Sequence, residues 1–358
     1  MVAKAAPRRR SFVEQAFASQ FAIADALAAM PGSDLNPVLT PSAAHDVWRD
    51  GHVRTHLRLP SELVQRIQRH FHGLPSSASN YVHIFQSPTS PYNRAVYANH
   101  EMLPAVVGHL LKLGLGRHFR TRYMIAAHDI FLSHFANHTG FGRHWDIFRK
   151  EQPFEGPYDL TIYIPLTPTS AAAGGRLHVL PGRVATARNA TKHPMETLRL
   201  LAMRNPGLPL EAFGDARSDD AVAGAMADAM KIANKDMFTA RKRNGQLAWR
   251  AIATEAPGET ILFPQKEFHE NEPIRRPKGG VQRRRGGAVA PAAAAPPRDV
   301  YVIRLHPLYD VPVKLPTTLR GFPANSHVID FEQRSIARVP TPIDVSAYPP
   351  SDRVWFRF

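Results

Sequence analysis

The sequence predicts an α+β protein with a mainly β core, a jelly roll or β-barrel carrying helices on its outside. Three observations lead there. Short apolar runs of strand length recur from residue 160 onward, at 160–165, 177–180, 247–253, 259–263 and 300–305. Turn pairs separate them: Gly174-Gly175, Pro181-Gly182, Asn244-Gly245 and Pro257-Gly258. Helical periodicity is concentrated ahead of them, in the first third of the chain.

Taken in order, the elements begin with Ser11 and Glu14, a capping box for a helix whose Val13, Phe17, Phe21, Ala24 and Leu27 share one face. Pro31-Gly32 ends it. After Asp50-Gly51, Val53, Thr55, Leu57 and Leu59 alternate with His52, Arg54, His56 and Arg58, the period of a half-buried strand. Ser61 then reads as the cap of a helix burying Leu63, Val64, Ile67 and Phe71. A further helix is expected over 102–113, stopped at Gly114. Short β-type runs follow over 120–135. Two stretches interrupt the β region. Residues 190–245 form a helical insert, in which Ser218 caps a stripe of Val222, Met226 and Met230 suited to packing or to a lid. Residues 279–297 form a low-complexity loop. The chain thus divides into a basic extension and helix at 1–40 and one domain over 41–358.

Composition narrows the chemistry. The 358 residues contain no cysteine, which excludes disulfide scaffolds, thiolate zinc sites, iron–sulfur clusters and cysteine nucleophiles. Any metal is therefore held by His and carboxylate, and there are 18 His. No apolar run has the roughly 18 residues of a membrane span. The net charge of +15 is concentrated: residues 1–10 carry four of these charges and residues 275–285 carry six. Two short clusters in loop-like segments favour a solvated charge over a nucleic-acid face. The expected location is intracellular and cytoplasmic. The Arg-rich start raises mitochondrial targeting, against which Glu14 and Asp25 argue.

Two segments carry the metal chemistry. In Gly142-Arg143-His144-Trp145-Asp146, residues i and i+2 of an extended chain project to one face about 6.5 Å apart, so His144 and Asp146 can close on one ion. On spacing alone the plainer reading of His144 is a hydrogen-bonded barrel histidine. The second segment is Pro257-Gly258-Glu259-Thr260-Ile261-Leu262-Phe263-Pro264, followed by His269. Two imidazoles and one carboxylate make the facial triad of non-haem Fe(II) oxygenases. His128, His134 and His138 precede the first segment. They read as structural or substrate-facing, because strand and turn surround them and no Glu follows His134.

Asp50-Gly51-His52-Val53, the run Leu160-Thr161-Ile162-Tyr163-Ile164-Pro165, the segment Gly174-Gly175-Arg176-Leu177 through Pro181-Gly182, and Pro257–Phe263 together resemble, in order, the phytanoyl-CoA dioxygenase family over about 45–308. The resemblance implies a double-stranded β-helix (jelly roll, cupin-like) with flanking helices. It also implies an Fe(II)- and 2-oxoglutarate-dependent dioxygenase that uses O2 and releases succinate and CO2. Its implied metal ligands are His144, Asp146 and His269, and the Asp146 carboxylate implies hydroxylation over halogenation. The implied partner of the cosubstrate's far carboxylate is Arg298, with Arg276, Arg275 and Arg304 as alternatives because 29 positions separate His269 from Arg298. Thr161 and Tyr163 complete the implied cosubstrate set. Arg183-Val184 stands where the family has Ser-His, and Asn271 lies only two residues after His269. The implied substrate is a small or lipid-like molecule. The competing expectation is an inactive jelly-roll module that binds nucleic acid or another anionic partner through its basic clusters.

Overall fold

The computed structural model describes residues 36–74, 82–83, 93–98, 101–134, 158–179, 181, 249–254, 256–265, 269–274, 297–308, 326–339 and 343–354. The expected N-terminal helix, the insert at 190–245, the loop at 279–296 and both basic clusters lie outside these residues.

Among the described residues three α-helices lie in the first third of the chain: α1 (Pro41–Asp50), α2 (Ser61–Gly73) and α3 (Leu103–Lys112). The first strands are β1 (Val53–Arg58), β2 (Val82–His83), β3 (Asn93–Ala98) and β4 (Tyr123–His134). Then come β5 (Leu160–Pro165), β6 (Leu177–Val179), β7 (Arg250–Ile252), β8 (Glu259–Pro264), β9 (His269–Asn271) and β10 (Arg298–Pro307). The pair β11 (Ser326–Asp330) and β12 (Ser335–Val339) follows.

The strand order defines the architecture. One sheet runs β1-β8-β5-β10-β4-β11-β12, with β3 also on β4; the other runs β7-β6-β9. Along the chain, β5 lies in the large sheet, β6 and β7 in the small one, β8 in the large, β9 in the small and β10 in the large. The chain therefore winds back and forth between two facing antiparallel sheets, which is a double-stranded β-helix with flanking helices. The two sheets meet through Ile130, Tyr163, Ile261, Phe263, Val300 and Val302 from one side and Leu177, Val179 and Ile252 from the other.

The outer face of the large sheet takes the helices. Helix α2 buries Leu63, Val64, Ile67 and Phe71, the face its periodicity predicts. Phe71 stacks on Phe131 of β4 with ring centroids 4.9 Å apart. Removing such a buried side chain costs about 3–5 kcal/mol. Ser61 is the first residue of α2, not its cap: Pro60 holds the cap position and no side chain bonds the free amides. Helix α3 ends with Gly114 at φ 95°, as expected.

A buried polar clamp joins α2 to β10. Asp299, 2% exposed, accepts from Ser133 Oγ at 2.7 Å on one oxygen and from Gln68 Nε2 at 2.9 Å on the other. His72 Nε2 lies 2.9 Å from that second oxygen. A buried carboxylate is tolerated only when its lone pairs are taken up in this way.

The 120–135 region is one long strand, not several short ones. Its outer edge is shared, Tyr123–Ala126 pairing β11 and Asp129–His134 pairing β3. At the far edge of the sheet, β1 carries an irregularity between Arg54 and Arg58, with His56 at φ 59°. Such a bulge discourages pairing of the edge with another chain. The predicted turn at Gly258 has φ +84°, and a Cβ there would lie 2.8 Å from the Leu59 carbonyl. Its amide donates to Pro165 O at 2.7 Å, tying the β7–β8 turn to the end of β5.

Burial pushes the His118 and His327 imidazoles down to about 4, with Arg117 and Arg338 adding to the effect. In the unfolded chain both titrate near 6.5. Between these values the unfolded state binds more protons, so stability falls as pH drops from about 6.5 toward 4. Urea midpoints across that window check this, and the double variant His118→Gln/His327→Gln is expected to flatten the slope.

Candidate functional site

The site is built on β9 and β10, whose two-residue period sorts their side chains. On β9, His269 and Asn271 are buried, while Glu270 between them faces outward beside His178 Nδ1 at 3.2 Å. On β10 all ten residues are buried. Asp299, Tyr301, Ile303 and Leu305 face the helical layer; Arg298, Val300, Val302 and Arg304 face the space between the sheets.

Arg298 opens β10 opposite His134 of β4. The residue is only 4% exposed, and its side chain lies between the two sheets. Nη2 donates to Asn271 Oδ1 at 2.9 Å and to the Tyr163 hydroxyl. The Tyr163 hydroxyl in turn donates to Asn271 Oδ1 at 3.0 Å. The Tyr163 ring lies under the guanidinium, 5.9 Å from Cζ to centroid. The Nε of Arg298 is buried without a hydrogen-bond partner. Among the described residues no carboxylate pairs with this cation, and burial pulls its pKa down to about 9. A buried, uncompensated guanidinium costs several kcal/mol unless an anion joins it. Its planar fork suits a carboxylate.

Room for the side chain comes from Gly175. A Cβ at that position would lie 2.7 Å from Arg298 Cδ, and the backbone there has φ +73°. The Gly174-Gly175 turn is held against the segment after β9 by Gly175 N donating to Pro273 O at 3.3 Å.

His269 sits on the same inner face, one register step along β9 from Asn271 and opposite Val179 of β6. Its ring packs 5.0 Å from Phe263, which lies 6.2 Å from Tyr163. An inward imidazole, a row of aromatic rings and a buried cation therefore run in line along the interior wall. Of the other implied residues, Tyr163 joins Arg298, but Thr161 does not. Thr161 Oγ1 instead accepts from Arg304 Nη1 at 3.0 Å, four and six residues respectively from the Pro165 and Arg298 ends of their strands. Arg304 thus belongs to the opposite end of the interior from Arg298. His144, Asp146, His138, Arg275 and Arg276 lie outside the described residues, and within those residues no three His, Asp or Glu side chains converge as a metal site. His134 is buried at the end of β4.

Two residues named in the sequence, Asn271 and Gly175, were not assigned a part beside Arg298. Asn271 was legible through the alternation that puts it on the face of His269. Gly175 was not, because nothing local signals a contact with a residue more than a hundred positions away.

No protein-family model matches the chain, and no curated protein sequence matches it. Solved structures do. The non-haem α-ketoglutarate-dependent carbocyclase SnoK from nogalamycin biosynthesis is 11% identical, covering 74% of this chain and 83% of SnoK, with a TM-score of 0.41. EctD from S. alaskensis with bound Fe is 15% identical, covering 76% and 78% of the two chains, at 0.42. The non-haem α-ketoglutarate-dependent epimerase SnoN is 13% identical, covering 92% and 91%, at 0.41. No helix among the described residues is long and apolar enough to cross a membrane.

Gly175→Ala is expected to destabilise the fold by about 1–3 kcal/mol through backbone strain and the clash with Arg298. In an Arg298→Ala background the penalty should shrink, since the clashing atom is gone. Urea unfolding of the double-mutant cycle measures the difference.

Proposed function

We propose that this chain is an Fe(II)- and 2-oxoglutarate-dependent dioxygenase, related to the phytanoyl-CoA dioxygenase family, that hydroxylates a C–H bond of a small or lipid-like molecule. Arg298 carries the reading. A guanidinium buried inside a double-stranded β-helix, without a carboxylate among the described residues and with Nε unsatisfied, asks for an anion of its own. The far carboxylate of 2-oxoglutarate supplies that charge and matches the fork.

Each residue has a part in this reading. Arg298 neutralises and orients the cosubstrate's far end, and Tyr163 and Asn271 hold the guanidinium in place. His269, further along the same wall, is the distal metal ligand; His144 and Asp146 supply the other two donors. The donor set of two imidazoles and one carboxylate suits Fe(II) and leaves positions open for exchangeable ligands. Bound iron supplies the redox chemistry that couples conversion of 2-oxoglutarate and O2 into succinate and CO2 to oxidation of the substrate. The apolar cluster of Ile261, Val300 and Val302 between the sheets gives that wall a low polarity, in keeping with a substrate of low polarity. The residues 41–358 act as one catalytic domain, with 1–40 as an extension.

Mixing the protein anaerobically with Fe(II) and 2-oxoglutarate should give a visible metal-to-ligand charge-transfer band, and admitting air should give slow succinate formation. His144→Ala should abolish both. Arg298→Gln should weaken 2-oxoglutarate binding by about a hundredfold, the loss of a buried charge-assisted pair. Absence of the band in the wild-type protein, or a cosubstrate titration unchanged by Arg298→Gln, overturns the assignment.

A further inference from the structure

A groove of about 540 Å³ runs between α2 and α3 on the side facing away from the barrel. Both helices use their apolar faces against the large sheet, so the groove is the outer seam between them and not a way into the interior. The end of α2 lies beside the start of α3, where His70 Nε2 is 3.0 Å from Glu101 Oε2. Arg66 and Arg69 line one wall, one helical turn apart; His109 and Lys112 line the other with the same spacing. The three permanent cations face one acid, Glu62, and among the described residues none of the three has an ion-pair partner. The floor is Leu63, Ala105 and Gly108. Leu113, the one large hydrophobic side chain exposed among the described residues, stands beside Lys112 at the end of α3, 42% exposed.

Gly108 adds a separate observation. It lies in the interior of α3, where glycine costs about 1 kcal/mol relative to alanine. A Cβ there would meet nothing within 4 Å, so no packing within the described protein requires its absence. A chain laid close along the groove would require it.

We propose that the α2–α3 groove docks an acidic peptide segment that also carries apolar side chains. The cationic walls select negative charge, and the apolar floor selects side chains over solvent. Among the described residues the lining contains no Phe, Tyr or Trp on which nucleobases would stack, which argues for peptide over single-stranded nucleic acid. The surface is separate from Arg298 and His269 and does not rest on the proposed reaction.

The probe is a fluorescein-labelled peptide of repeated Glu-Glu-Leu-Ala, titrated with the full chain and followed by fluorescence anisotropy. A thymidine oligonucleotide of equal charge is titrated in parallel. The charge-reversal variant Arg66→Glu/Arg69→Glu/Lys112→Glu is expected to weaken peptide binding by about tenfold or more. Gly108→Leu fills the floor without altering charge and should weaken the peptide comparably while leaving the oligonucleotide as it was. Its melting temperature should not fall, since a Cβ at this position meets open space and helix propensity improves. Peptide binding that survives Gly108→Leu, or equal loss of peptide and oligonucleotide on charge reversal, overturns the proposal. So does a concentration-dependent dimer in the absence of peptide that the same variants abolish.

Discussion

Strand β10 is bonded along both edges, to β4 on one side and β5 on the other, and none of its ten residues reaches solvent. A strand so placed cannot vary one face without consequence for the other. Its outward side chains, Tyr301, Ile303 and Leu305, make the floor on which α2 packs; its inward ones, Val300 and Val302, make the wall the small sheet closes against. Loss of its pairing would separate the two halves of the large sheet and open both cores at once.

The polar residues of β10 follow the same division. Arg298 turns inward to Tyr163 and Asn271; Asp299 turns outward to Ser133, Gln68 and His72. Two adjacent residues of opposite charge thus sit on opposite faces of one sheet, each taken up by its own set of partners. Tyr301 repeats the pattern further along, with its hydroxyl donating to Asp129 and its ionisation held well above the usual tyrosine range by burial and that carboxylate. Polar groups buried with their bonds made specify one arrangement more sharply than apolar packing does.

Much of this was legible from periodicity. The runs at 160–165 and 259–263 stand out because a strand covered on both faces must be apolar throughout, and β5 has the boundaries its sequence suggests. The inward face of α2 follows from Leu63, Val64, Ile67 and Phe71. Other elements left no comparable trace. Helix α1 buries only Ala43, Ala44 and Val47, too small a stripe to stand out among polar neighbours. Strand β12 pairs β11 but keeps most of its side chains toward solvent, so it lacks the apolar signal of the inner strands. At the site, Arg298 was legible as the residue that opens a buried strand. Tyr163 was set beside it by the family resemblance, and Asn271 follows from the alternation of β9, but Gly175 was not legible, because only the winding of the chain brings its separate segment against Arg298.

The opposed pair Arg298 and Asp299 also bears on how β10 keeps its place in the sheet. A slip of one residue would turn Asp299 into the barrel beside Tyr163 and Asn271 and push Arg298 out against Gln68 and His72, a mismatch on both faces. The strand therefore carries its own register check, independent of what precedes it. Register is thereby fixed from within β10 itself, by the side of the sheet on which each of the two opposite charges finds its partners.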